Sequence, residues 1–267
     1  MQQAEDFRQE ARALAALLDP LADAELAAKT QFKDWTIEDV LGHLHMFNHA
    51  ANLSLKSGGA FDEFYTPIRE ALAGGKSMLE AQYVWLDGLS GRALYEAWLS
   101  VSEETADNFA DADPKMRLKW AGPDMSARSF ITARQMETWA HGQEIFDAMG
   151  VEREEADRIK NIDHMGVLAY GWTFINRKLE VPEPAPHVRL TAPSGALWEW
   201  NEPQEEHSVE GSAVEFAQVV TQVRNVADTA LATTGENAAR WMAMAQCFAG
   251  KPEDPPAPGT RFVQPAS

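Results

Sequence analysis

Between residue 4 and about residue 155 apolar side chains return every three or four positions, and short breaks separate the stretches that carry this rhythm. A chain patterned this way over more than half its length has few options. Each segment is an amphipathic helix, and the apolar stripes must be buried against one another. Phe7, Ala11, Leu14, Ala15 and Leu18 form the first stripe, which Asp19-Pro20 closes. In DWTIEDVLGHLHMFNHAANLSL the stripe is Ile37, Val40, Leu41, Leu44 and Phe47; Thr36 as N-cap, with Asp39 three residues on, starts this helix at Ile37. KSGGAF and AGGK are glycine-marked breaks on either side of DEFYTPIREAL, and KSMLEAQYVWLDGLS and a long segment from Ser90 follow. DADPKMRLKWAGPDMS is then a connection of about 16 residues, long enough to suggest a functional loop or irregular structure. A helix from about Ala127 to Met149, stopped by Gly150, completes the series.

Beyond Gly150 the composition changes. One further helix is expected over RIKNIDHMGVLAYGWTFINRKL, and VPEPAPH then breaks the chain with three prolines. HVRLTA, ALWEWN and EHSVEG carry the strand signals. Ser212 and Glu215 are spaced as a capping box for SAVEFAQVVTQVRNVADTALAT, GENAARWMAMAQCFAG supplies a last helix, and the proline-rich tail is expected to be extended. The expectation is a mainly α protein: a helical bundle over residues 1–155 followed by a smaller α+β domain over residues 156–267.

Acidic residues number 41 against 23 lysines and arginines, a net charge of −18 spread along the chain, which would repel nucleic acid. The single cysteine, Cys247, excludes an internal disulfide and sits in apolar surroundings, where a thiol behaves as a small buried hydrophobe. The first twenty residues lack the basic and apolar regions of a secretory signal, and no run approaches the roughly 18 apolar residues of a membrane span. These features lead to the expectation of a soluble cytoplasmic protein.

The stretch METWAHGQE reads as part of a half-buried helix, yet it places Glu137 and His141 four residues apart, about 40° around the helix axis and one turn along it. Both could reach a single ion. The alternative is an ordinary ion pair between Glu137 and Arg134, one turn earlier. A metal would need a third ligand, and the helix from Ile37 offers His43, His45 and His49. His45 and His49 form a metal-holding i, i+4 pair by themselves, and periodicity does not choose among the three.

DWTIEDVLGHL resembles the corresponding helix of the DinB-like four-helix-bundle metalloproteins, in particular the mycothiol-dependent maleylpyruvate isomerase-like branch, where a tryptophan and a capping threonine precede a VLxHL segment. A later helix of that branch carries E-x-x-x-H, matched here by Glu137 and His141. The segment from VEGSAVEFAQVVTQVRN through WMAMAQCFAGKPEDPPAPG looks like the small α+β domain that accompanies the bundle there. The resemblance implies a four-helix bundle and the metal set His43, Glu137 and His141. It also implies a catalytic arginine, for which Arg224 in TQVRNVADT is the match; the alternative is a helix-surface arginine paired with Asp228 at i+4. His45 and His49 then become polar surface or supporting groups, His164, His187 and His207 background, and Trp139 and Trp241 packing.

Two histidines and a glutamate give a divalent ion, zinc first among them, three protein ligands and leave a position open. The implied function is a metal-dependent enzyme acting on a small unsaturated or carbonyl/carboxylate substrate, by thiol-dependent isomerase or S-transferase chemistry with a low-molecular-weight thiol. Alternatives are a hydrolase or hydratase using metal-bound water, and a non-catalytic small-ligand-binding module.

Overall fold

The computed structural model describes residues 1–265 and divides into two compact units, Met1–Ala148 and Met149–Ser267. Helices dominate the first: α1 (Gln2–Leu18), the short α2 (Asp23–Leu26), α3 (Ile37–Lys56), α4 (Gly58–Ala73), α5 (Met78–Leu86), α6 (Gly91–Ala110) and α7 (Ala127–Met149). The four longest share a core in which Ala4 and Phe7 of α1, Ala51 of α3, Ala106 and Phe109 of α6 and Phe130 and Ile131 of α7 meet. They are the expected four-helix bundle. α4 and α5 pack on α3, around a second cluster of Met46, Phe47, Ala50, Phe61, Ile68 and Ala81. Among the described residues no helix is long and apolar enough to cross a membrane.

α3 begins where its sequence cap places it. Thr36 Oγ1 accepts from the Asp39 N–H (3.0 Å) and Asp39 Oδ2 accepts from the Thr36 N–H (2.9 Å), so both orphan donors are satisfied. The break before α4 is narrower than the two glycines suggested. Gly58 and Gly59 already lie in the helix, and Ser57 alone separates α3 from α4, its Oγ accepting from Ala60. The 16-residue connection forms a small hairpin, β1 (Arg117–Leu118) with β2 (Met125–Ser126), and Trp120 between them folds back against Phe130, Phe47 and Phe61 at 4.6–5.7 Å.

In the second unit the expected single helix is two, α8 (Lys160–Leu168) and α9 (Tyr170–Ile175), parted at Ala169, whose N–H is shared between Met165 O and Gly166 O. The three expected strands are present as β3 (His187–Thr191), β4 (Leu197–Trp200) and β5 (Ser208–Ser212), followed by α10 (Ala213–Val220), β6 (Ala232–Thr234) and α11 (Gly235–Met242). The sheet order is β4-β3-β5-β6, with β3 and β5 parallel and both outer pairings antiparallel. Val188, Leu190 and Val209 turn inward, and α10 packs Phe216, Ala217 and Val220 into the same unit.

Two expectations fail around α10. The helix stops at Val220 because the chain turns at Gln222 (φ 60°), whose side chain is drawn away to donate to Ala245 O and Glu253 O. Nor do Ser212 and Glu215 form a capping box: Ser212 makes no side-chain cap bond, and Glu215 Oε1 accepts from the Ala230 N–H (2.9 Å), pinning the loop before β6. The Thr36 cap, by contrast, is complete. Thr36→Ala is expected to lower stability by about 1 kcal/mol, read as a shifted midpoint in chemical denaturation; an unchanged midpoint would show that α3 does not depend on its cap.

Candidate metal centre

The cap fixes the start of α3, and two turns later stands His43. Its neighbour Gly42 lies so close to α5 that a Cβ there would fall 2.5 Å from Gln82 Nε2. Through that gap Gln82 donates to Asp39 O (2.9 Å), while Tyr83 donates to Asp39 Oδ1 (2.5 Å). α5 thereby clamps the turns that carry His43. The other donors come from α7, which is buried around most of its circumference rather than on one side, Arg134, Gln135, Thr138, Gln143, Glu144 and Asp147 included. Polar groups in such a position need partners.

His141 Nε2 lies 3.5 Å from Glu137 Oε2, His43 Nε2 lies 3.8 Å from the same oxygen, and the three ligand atoms fall within 4.8 Å of one another. Both separations are long for an N–H···O bond, which runs about 2.7–3.2 Å. Two donors about 2.1 Å from one tetrahedral ion stand about 3.4 Å apart. The spacing therefore fits a shared divalent ion better than direct hydrogen bonding. The side chains of His43, Glu137 and His141 keep 13, 27 and 12% exposure, so the donor atoms are screened but not sealed.

Charge agrees with geometry. Burial alone would push the Glu137 carboxyl up, but the approach of His141 and His43 outweighs it and holds the group well below the usual carboxylate range. Burial lowers His43 to about 4, against the pull of Glu137. Burial also works on His141, but the two carboxylates Glu137 and Glu144 overcome it and raise the imidazole to about 9. Glu144, itself buried, sits with Oε2 3.4 Å from His141 Nδ1 and so leaves Nε2 facing Glu137, the arrangement in which a carboxylate behind an imidazole orients it as a ligand.

Aromatic rings enclose the imidazoles. A tight loop ahead of α3, closed by the Thr30 N–H and Oγ1 on Trp35 O (2.7 and 2.9 Å), passes through left-handed Lys33 and Asp34 and swings two rings inward. Trp35 lies parallel to His141 at 6.0 Å and edge-on to His43 at 5.4 Å; Phe32 meets His141 at 5.1 Å, and Phe47 meets His43 at 4.7 Å.

Several alternatives that the sequence left open are decided here. Arg134 makes no ion pair with Glu137; its Nε donates to Asn48 Oδ1 (3.0 Å). His45 and His49 form no metal pair with an acidic or imidazole third ligand among the described residues, and stand against Trp85 at 5.2 and 5.6 Å. Arg224 is neither helical nor on the surface: it lies in the turn after α10, 8% exposed, with Nη1 donating to Val223 O (3.1 Å). Asp228, its supposed partner, accepts from the Gly259 N–H instead. In the second unit His164 Nδ1 accepts from Trp200, and Cys247, Trp241 and, in the first unit, Trp139 are buried as expected of packing residues.

Residues 7–146 match the sequence profile of the mycothiol maleylpyruvate isomerase N-terminal domain. The chain belongs to that family. It is also 34% identical over 247 residues to uncharacterised proteins of two Mycobacterium tuberculosis strains, CDC 1551 / Oshkosh and ATCC 25618 / H37Rv, a span of 92% of this chain and 95% of theirs. Its fold is similar to the crystal structure of the mycothiol-dependent maleylpyruvate isomerase (TM-score 0.52, 13% identity, 88% of this chain and 93% of that one). A histidine-to-alanine mutant of that enzyme gives 0.51 at 14% identity, over 82% of this chain and 87% of that one. At such identities the likeness is one of fold.

For this member of the mycothiol maleylpyruvate isomerase family, the sequence did not assign roles to Glu144, Asn48 or Phe32. Glu144 had a signal, standing three residues beyond His141 on the same helix face. Glu144→Gln is expected to weaken zinc binding about 10- to 100-fold without unfolding the chain, as read by competition with a chromophoric chelator; equal affinity would remove Glu144 from the centre. Metal uptake must also displace a proton, since His141 holds one up to about 9 while His43 and Glu137 hold none at neutrality. Apparent zinc affinity is therefore expected to climb between neutral pH and about 9 and then level off, with release of about one proton per ion at neutrality in calorimetry run in several buffers. Flat affinity across that window would contradict the charge assignment.

Proposed function

We propose that the chain is a metal-dependent enzyme performing thiol-dependent isomerase or S-transferase chemistry on a small unsaturated or carbonyl/carboxylate substrate. The observation that carries this reading is the spacing of His43, Glu137 and His141 about one oxygen of Glu137, at 3.8 and 3.5 Å. Two imidazoles and a carboxylate suit zinc and leave a coordination position open. A divalent ion held there lowers the pKa of a thiol and polarises a substrate oxygen.

The chain's own residues set the conditions for that chemistry. Glu144 keeps the His141 ring turned, and Phe32, Trp35 and Phe47 limit water around the imidazoles. The protein's one thiol, Cys247, is buried, which favours a low-molecular-weight thiol from solution as the nucleophile. Mycothiol is the first candidate, because the matched family and the similar solved enzyme are both named for it. In an isomerisation of this kind the thiol adds to a conjugated double bond, the resulting single bond rotates, and the thiol leaves with no net gain or loss of atoms. Arg224 has the role of holding a substrate carboxylate or carbonyl oxygen.

Cobalt-loaded protein titrated with mycothiol, and separately with glutathione, is expected to develop a near-ultraviolet thiolate-to-cobalt band with at least one of them. Metal-loaded protein that gives no band with either thiol would contradict the thiol reading. Arg224→Met is expected to keep the band and lose turnover.

A further inference from the structure

Arg134 is 2% exposed, one of the largest fully buried side chains, and among the described residues only one of its three guanidinium nitrogens has a hydrogen-bond partner. Nε donates to Asn48 Oδ1, and Asn48 is itself fixed, its Nδ2 donating to Ser102 Oγ (3.0 Å) and Ser102 in turn to Trp98 O (2.7 Å). Neither terminal nitrogen donates to an acceptor among the described residues, and Nη2 is buried without a partner. A rigid neutral network thus grips one edge of the guanidinium and leaves the other edge, a planar fork of donors, without an acceptor.

The place of this fork matters. Arg134 precedes Glu137 by three residues on α7, which puts it one turn away, about 4.5 Å along the axis, on the same face. Its guanidinium lies 6.0 Å from the centre of the Phe47 ring, and that ring meets His43 at 4.7 Å. The charge that acts on Arg134 is that of Glu137, yet the Glu137 carboxylate is turned to the two imidazoles and makes no ion pair with it. Burial lowers Arg134 to about 10, so it stays cationic at neutral pH. Once Glu137 serves the metal, its negative charge is shared with the ion, and Arg134 remains as a buried cation with unused donors beside the centre. A buried charge in that state calls for an anion.

We propose that the free edge of Arg134 is a carboxylate-binding position of the same centre, so that the small molecule handled at His43, Glu137 and His141 carries a carboxylate. This rests on the metal reading above and narrows it. A planar carboxylate matches the fork of a guanidinium, and the Asn48 anchor holds that fork in place before the ligand arrives. Arg134 is then a substrate-binding residue, distinct from the role given to Arg224.

The test uses full-length zinc-loaded protein, succinate as probe, and its uncharged diamide as control, with binding read by calorimetry and metal content measured on the same samples. Wild type is expected to bind succinate and not the diamide; Arg134→Met and Arg134→Gln are expected to bind succinate about 10- to 100-fold more weakly with metal content unchanged. The glutamine variant keeps a donor for Asn48, so it carries the test if the methionine variant does not fold. Metal-bearing wild type that binds succinate no better than the variant overturns the inference and leaves the metal reading standing. A wild type that takes up no metal overturns both.

Discussion

Glu137 is the residue on which the rest of the arrangement depends. A carboxylate kept ionised in the interior of a helical bundle is tolerated only where cationic or polar groups converge on it, and here two imidazoles from different helices do so through one oxygen. Neither approach is short enough for a good hydrogen bond. The 3.5 and 3.8 Å separations are close to those of donors that share one tetrahedral ion.

Such a centre needs helices that do not shift. α3 is held at its first turns by the Thr36–Asp39 cap and, across the gap left by Gly42, by Gln82 and Tyr83 of α5. α7 is held by burial on most of its surface and by the Arg134–Asn48–Ser102 chain that ties it to α3 and α6. Rings from the loop before α3 and from Phe47 surround the imidazoles, and Trp120 from the hairpin backs Phe47. The long connection that the sequence marked as irregular thus contributes to the wall behind the site.

Much of this was legible in the sequence, for stated reasons. Helical period and the S/T-x-x-D/E cap place α3 and α7 within a residue of where they lie, because these signals are local. Periodicity could not choose among His43, His45 and His49, since the choice depends on which side of α3 meets α7; the resemblance made it. The failures lie where long-range contacts override local pattern. The run after Ser212 reads as one long helix, but Gln222 is drawn to the carbonyls of Ala245 and Glu253, and the three exposed residues of β6 carry no apolar alternation to announce a strand. The alternative of an ion pair between Arg134 and Glu137 at i, i+3 could not be dismissed from the sequence either, because Asn48, which takes the arginine instead, is distant in sequence.

Whether Glu137, His43 and His141 share a metal ion is decided most directly by metal content, measured by inductively coupled plasma mass spectrometry. It would be made on protein purified without a histidine tag, for the wild type and for His43→Ala, Glu137→Ala and His141→Ala. About one divalent ion per chain is expected in the wild type, and its loss from all three variants while they remain folded. A wild type without metal after reconstitution, or variants that keep it, would contradict the shared ion and leave the cluster as a structural arrangement of charged side chains.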